Sequence, residues 1–506
     1  MCCHHPNRRE FMGMSAGAAL VPASALGSAP TWNQDLWDPA RPLTTAAKPL
    51  KVQPVLMYHV SARKQQTSWK SWGGVQSEQS AEEEARRIAG ELKALAAQAG
   101  FPMEVEPVAK VTSVETAMAA RNPDADVTIV YPATGSGQTL RACIADEKRS
   151  IIFLRHRSGP VYYWYEALSV RYVHQNRPAA APADPAEGPH LAADDVVVDD
   201  GDELLWRLRA FYAVKNLRGS KIVALGGAAG KYAGEAPRVA RERFKLEIVE
   251  ASYDDLNQRL QSAFADRKRM SIAEKWAERY LAMPGITLET DKQFVVNAFV
   301  LYALWKDLMR ETNSVAFTIK SCMGTIMPMA RTTACLTLSL MNDEGLMAFC
   351  ESDFVIIPAG ILLRYIAGKP VFLHNSTFPH KAMVTCAHCT SPRRMNGTRY
   401  EPARVLTHYE SEYGAAPKVD YPKGQLVTCI SPEYATGLWV GIQGVVESNP
   451  FYEICRSQQD VRILGDWKKL LGEVRDSHWV MAYGDYLKEL GYAAPRIGVA
   501  WDSVLA

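Results

Sequence analysis

From residue 50 onward, short continuously apolar runs alternate with longer stretches whose apolar residues recur every three or four positions. That pattern predicts strands and helices in alternation. Lys51 to Val60 reads as a strand, and Ser80 to Gly100 as an amphipathic helix with Ser80 as its cap, glutamates in its first turn and Gly100 at its end. Asp126 to Tyr131 and Ile151 to Leu154 are further buried strands, the first leading into a glycine-bearing loop, Thr134 to Gln138. Asp202 to Leu217 is a helix and Lys221 to Leu225 a strand that runs into the turn Gly226 to Gly230. Phe244 to Glu250 is a strand, Tyr253 to Tyr280 a long helical stretch, Asp291 to Glu311 a mostly apolar core helix, and Ser314 to Ile319 leads to the densest part of the chain. After His388 the pattern changes to short alternating runs with Gly and Pro turns (Arg404 to His408, Gln425 to Ile430, Thr436 to Val446), which predicts antiparallel β structure. A helix from Asp466 to Val474, a strand to Tyr483 and a last helix close the chain.

Alternation of strand and helix implies parallel sheets covered on both faces. The expected fold class is α/β: two doubly wound, Rossmann-like parallel-sheet domains (51–200 and 201–370), then a mostly antiparallel β domain (371–506). Residues 31–50, Pro-rich and irregular, read as a linker, and Arg177 to Asp200 as an insertion or interdomain loop.

The chemistry concentrates between Thr332 and His388, most densely in the segment TTACLTLSLMNDEGLMAFCESDF. Ala334 to Met341 reads as a strand, Asn342 to Gly345 as a turn, and Leu346 to Cys350 as a second strand that stops at Glu351 and Asp353. Ligands gather beyond the carboxyl ends of strands in α/β proteins, and His374 and His388 lie at later strand ends. Carboxylate and imidazole together suit a divalent manganese, iron or zinc ion. Asp353 has a second reading, as N-cap of a helix from Phe354 to Ala367 whose first turn could start near Pro358. Glu351 sits between Phe-Cys and a cap, and a half-buried carboxylate needs a partner.

Composition narrows the picture. With 57 basic and 55 acidic residues the formal net charge is only +2, which argues against nucleic acid or an anionic membrane as main partner. No apolar run is long enough for a membrane span. Residues 1–30 carry Arg8 and Arg9 before Phe11 and a weakly apolar run, Gly13 to Leu26. That is the pattern of a twin-arginine signal peptide and predicts a periplasmic or exported protein, folded before export. Cys322, Cys335, Cys350 and Cys429 lie in apolar surroundings and read as small buried hydrophobes. Cys386, His388 and Cys389 suggest zinc, but a structural zinc site normally needs a second ligand pair at similar spacing, and none is nearby in the sequence. His59, His380 and His408 read as packed or surface residues.

The run ACLTLSLMNDEGLMAFCESD resembles the active-site strand region of the L-fucose isomerase-like family, related to the L-arabinose isomerases. Gly368 to Leu373 is similar to that family's helix-to-strand connection, and Ser477 to Asp485 to its His-containing segment near the C-terminus. The resemblance implies a metal-dependent aldose–ketose isomerase working on a small sugar through a cis-enediol, manganese at Glu351, His388 and His478 (zinc or iron as alternatives), and a homo-oligomer. It implies catalytic roles for carboxylates on both sides of the substrate, the first of which Glu351 matches. Where the family has the second, this chain has His374, which could ligate the metal or act as base. The same scaffold could instead serve an epimerase or lyase, or a non-catalytic periplasmic sugar-binding protein.

Overall fold

The computed structural model describes residues 32–44, 46–144, 149–163, 167–168, 191–433, 437–473 and 476–504. The proposed signal at 1–30 and most of the loop expected between Arg177 and Asp200 lie outside the described residues. The chain divides into two compact units, residues 47–215 and residues 1–46 with 216–506. Its architecture is mixed α/β, with two parallel sheets and a separate antiparallel, barrel-like sheet.

Unit 47–215 contains β1 (Leu50–Met57), α1 (Glu78–Gln98), β2 (Met103–Val105), β3 (Ala109–Val111), α2 (Val114–Ala119), β4 (Val127–Pro132), α3 (Gly137–Cys143), β5 (Ser150–Leu154), β6 (Val196–Val198) and most of α4 (Gly201–Leu217). The strands form one parallel sheet in the order β2-β1-β4-β5-β6, with β3 also paired to β1. Val55, Met57, Val130, Ile152 and Leu154 supply its apolar core, as the continuous apolar runs required. The cap of α1 is Ser77, not Ser80: Ser77 Oγ accepts the Ser80 N–H while Ser80 Oγ accepts the Ser77 N–H, so Ser80 completes a capping box from inside the helix. Helix α4 packs against this unit, with Tyr212 stacked on Phe101 at 4.8 Å and Lys215 Nζ donating to Asp126 and to the Pro49 carbonyl.

The second unit begins its parallel sheet with β7 (Lys221–Leu225), followed by α5 (Ala236–Glu242), β8 (Glu247–Ala251), α6 (Tyr253–Ala265), α7 (Arg267–Leu281), β9 (Ile286–Leu288), α8 (Lys292–Glu311), β10 (Ala316–Ile319), α9 (Cys322–Ala330), α10 (Cys335–Asp343), β11 (Met347–Phe349) and α11 (Ile357–Ala367). The sheet order is β11-β10-β7-β8, all parallel. Asp266 breaks the stretch expected as one helix into α6 and α7, its carboxylate accepting the Lys268 and Arg269 N–H groups as an N-cap. Residues 32–44 do more than link. Trp32 and Trp37 are each 3 % exposed, and their rings meet Trp276 of α7 and Phe299 of α8. Trp276 Nε1 donates to the Gln34 carbonyl at 2.9 Å, closing the contact.

Ala334 to Met341 is not a strand: it leads into and forms most of α10, all nine of whose residues are buried. An element apolar on every side carries no period to distinguish helix from strand. The polar side chains in it bond outward instead: Thr337 to the Ala298 carbonyl, Ser339 to the Ser391 carbonyl, and Asn342 to both backbone groups of Ala348 in β11. Through Asn342, α10 fixes the strand that ends just before Glu351.

The remaining elements are β12 (Phe372–Ser376), β13 (Met383–His388), β14 (Ala403–His408), β15 (Tyr413–Val419), β16 (Leu426–Glu433), β17 (Leu438–Ser448), β18 (Ser457–Leu464), α12 (Trp467–Glu473), β19 (His478–Tyr483), α13 (Leu487–Ala493) and β20 (Ala500–Ser503). Strands β16-β19-β12-β13-β18-β17 pair antiparallel in that order, and β17 pairs back to β16, so six strands close a ring. β20 adds to β17 in parallel. Phe372, Trp479, Met481, Tyr421 and Ile442 are among the residues filling the ring's core. A small sheet, β15-β14-β9, completes the unit.

Candidate metal centre

Strand β11 ends at Phe349, and two successive non-glycine residues soon after it adopt left-handed backbone: Glu351 at φ 65° and Ser352 at φ 48°. Such conformations cost roughly 1 kcal/mol or more each. The turn is held from outside: the Ala229 N–H donates to the Ser352 carbonyl, and the Phe354 N–H to the Ala229 carbonyl. Ala229 belongs to the glycine-rich turn after β7. Gly226 there has φ +81°, and a Cβ on it would lie 2.3 Å from the Tyr253 ring, so only glycine fits. This turn delivers Lys231 to the site.

Three candidate ligand atoms then converge, one each from Glu351, His388 and His478, all within 4.8 Å of one another. They come from the turn after β11, the end of β13 and the start of β19. Glu351 Oε1 is 3.8 Å from His388 Nε2, and Glu351 Oε2 is 3.6 Å from His478 Nε2. Both distances exceed a hydrogen bond. His388 Nε2 is buried and has no hydrogen-bond partner, an orphan of the kind that a cation would satisfy. Its Nδ1 lies 3.0 Å from Thr390 Oγ1.

The buttress for His478 is Asp353. Its Oδ2 stands 2.7 Å from His478 Nδ1, and both side chains are fully buried. This contact orients the ring so that Nε2 faces Glu351, the arrangement found behind metal-binding histidines. Asp353 Oδ1 accepts the N–H groups of Lys231 and Val355. It is not the N-cap of α11, which starts only at Ile357, with Pro358 in its first turn and Gly368 at its left-handed end.

Lys231 also reaches this cluster, which the sequence pattern did not reveal; the one available signal was the glycine-rich turn just before it. Its Nζ lies 3.3 Å from Glu351 Oε2 and 3.2 Å from His478 Nε2. Burial by itself would raise the Glu351 pKa, but the His388 ring and the nearby His478 and Lys231 outweigh it and bring the carboxyl down to about 2. Burial lowers the pKa of His388, with Glu351 opposing.

His374 stands beside this group but not in it. On β12 it shares a face with Phe372, because side chains alternate along a strand. Its ring packs 5.4 Å from Phe372 and 6.2 Å from Trp479. Burial drives its pKa down to about 3, so it is a neutral imidazole. The chain thus places Glu351, His388 and His478 together and leaves His374 as a neighbour.

Two imidazoles and one carboxylate, with open positions left over, are a donor set that fits a divalent first-row metal. Among the described residues, no helix is long and apolar enough to cross a membrane. Compared with protein-family models and with curated proteins, the chain matches none.

Proposed function

We propose that this chain is a metal-dependent aldose–ketose isomerase that interconverts a small sugar through a cis-enediol. Glu351, His388 and His478 hold the metal in this reading, manganese or alternatively zinc or iron. The convergence of those three ligand atoms from distant parts of the sequence carries it. Twin-arginine export, a homo-oligomeric state and doubly wound parallel-sheet domains belong to the same reading.

A divalent metal at such a site supplies Lewis-acid polarisation of adjacent hydroxyl and carbonyl oxygens. The protein's own residues do the rest. Asp353 fixes the tautomer and orientation of His478. Lys231 places an ammonium group next to Glu351, where it can stabilise negative charge developing on a sugar oxygen and donate a proton to it. His374, neutral and packed against the aromatic core, is a neighbour of the site and not one of its ligands. The second carboxylate of the isomerase pattern is absent at position 374, so Lys231 takes the role of the second proton-handling group.

One observation favours a second reading. Lys231 bridges Glu351 and His478 as an internal cation would. In that case the cluster is a structural ion pair, and the protein binds sugar without turning it over. Against this stands His388 Nε2, which the lysine leaves without a partner. Elemental analysis of the purified protein, followed by an aldose panel with manganese added, decides between them. Stoichiometric metal and proton exchange at C2 of an aldose support the isomerase; metal-free protein with no exchange excludes it.

A further inference from the structure

A second group of ligating side chains lies apart from the first. Cys335 opens α10, Cys389 directly succeeds β13, and His408 ends β14. They are 7 %, 2 % and 6 % exposed, and one ligand atom from each lies within 4.8 Å of the others. Cys455 packs against the small cluster that Cys335 and Cys389 form with Ala416. We infer that Cys335, Cys389 and His408, completed by Cys455, form a binding site for zinc or another thiophilic divalent ion, separate from the Glu351 site.

The chemistry favours a cation over apolar filling. Cysteine alone is an ordinary small core residue, but here two thiols and an imidazole converge, and Cys455, packed beside them, is the third thiol that would complete the Cys3His set of structural zinc sites. Zinc–sulfur and zinc–nitrogen bonds of about 2.3 and 2.0 Å would set the ligand atoms roughly 3.5–3.8 Å apart. Atoms already within 4.8 Å need close by only about an ångström. The Arg456 N–H points at Cys389 Sγ at 3.5 Å, a donor suited to stabilising a thiolate. His408 Nδ1 lies 3.3 Å from Ser411 Oγ, which orients the ring from outside. His408 and Cys455 also line a cavity of about 270 Å³, which gives an ion a way in. As the ion binds, each ligating thiol releases its proton to solvent.

The sequence hid this site because its ligands are spread over residues 335–455, with no repeated pair spacing. Its consequence is positional. Cys389 is the residue after His388, so an ion held there anchors the strand end that carries a ligand of the first site, and ties α10 to β13 and β14.

The test uses the full chain in wild-type and Glu351→Gln forms, loaded with zinc and, separately, with cobalt(II). The expected result is that Glu351→Gln retains one equivalent of tightly held zinc. Its cobalt form should show the intense near-ultraviolet thiolate-to-cobalt absorption, and Cys335→Ser should lose that band. Because the Glu351→Gln arm leaves every cysteine in place, the outcome does not depend on a cysteine variant folding. Absence of the thiolate–cobalt band in both wild type and Glu351→Gln would overturn the site. So would a band of unchanged intensity in Cys335→Ser, or a Cys335–Cys389 disulfide found by peptide mapping of the native protein.

Discussion

Asp353 and His478, 125 positions apart in the chain, meet at 2.7 Å between Oδ2 and Nδ1, with both side chains fully buried. The pair joins the end of the parallel sheet to the β-barrel and decides which nitrogen of His478 is free to bind a cation. If the Glu351 site holds metal, Asp353→Asn should weaken binding by roughly 10- to 100-fold while the fold persists. Competition with a chromophoric chelator measures the change. Unaltered affinity would show that His478 is oriented by something other than Asp353.

Glu351→Gln removes the only carboxylate among the three ligands. On the isomerase reading, turnover of an aldose is expected to fall by on the order of a thousandfold, with circular dichroism little changed. Full activity in this variant would remove the basis of the isomerase reading.

Lys231→Met separates the two accounts of the cluster. If a metal occupies it, the variant still binds metal, because the lysine supplies no ligand, but loses turnover. If the lysine is itself the structural cation, the variant leaves Glu351 buried without compensation and destabilises the unit by about 3 kcal/mol. Metal titration and denaturant unfolding of the same sample read both outcomes.

Asp343, buried at the end of α10, accepts the N–H groups of Arg393 and Arg394 on Oδ1, while Oδ2 has no partner. Burial raises its pKa to about 7, the Arg393 and Arg394 groups opposing. The folded state therefore holds a proton that the unfolded chain, with an Asp pKa near about 3.9, has released. Stability from this group is present at low pH and is lost as pH rises from about 4 through about 7, by on the order of 4 kcal/mol. Asp343→Asn should flatten this part of the profile, seen as a smaller difference in urea midpoint between about pH 5 and about pH 8. A wild-type midpoint that does not fall relative to the variant over that range would contradict the raised pKa.

In unit 47–215, Arg155 and Glu84 are each 1 % exposed and bonded through Nε and Oε1, with Tyr162 donating to the same oxygen. Arg155→Met leaves Glu84 buried without that partner and should cost about 3 kcal/mol. Adding Glu84→Gln should recover part of the loss, because without Arg155 the buried Glu84 carboxylate is left with the half-exposed Arg87 as its cationic partner, at 3.2 Å. Denaturant midpoints of the single and double variants test the pair.

Much of the architecture was legible in the chain. The strand Lys221 to Leu225 appears with the expected boundaries, and the core helix from Asp291 to Glu311 differs only in that Asp291 is its cap. Each is bounded by turn or capping residues that act locally. Residues 334–341 mislead because a uniformly apolar run carries no period. Residues 31–50 read as a linker because two tryptophans among prolines form no pattern, yet Trp32 and Trp37 bury against α7 and α8.

By itself the sequence determined the alternation of elements, a change to antiparallel structure late in the chain (which begins at β12, earlier than the expected point after His388), and the candidacy of Glu351, His388 and His478. The first two arise from local preferences; the candidacy arises from side-chain chemistry for Glu351 and His388, and for His478 from the family resemblance. Only the tertiary structure decided that Lys231 joins them, that Asp353 stands behind His478, that His374 turns into the aromatic core, and that Cys335, Cys389 and His408 meet. Those facts depend on strand register and on chain crossings, where a shift of one residue sends a side chain to the opposite face.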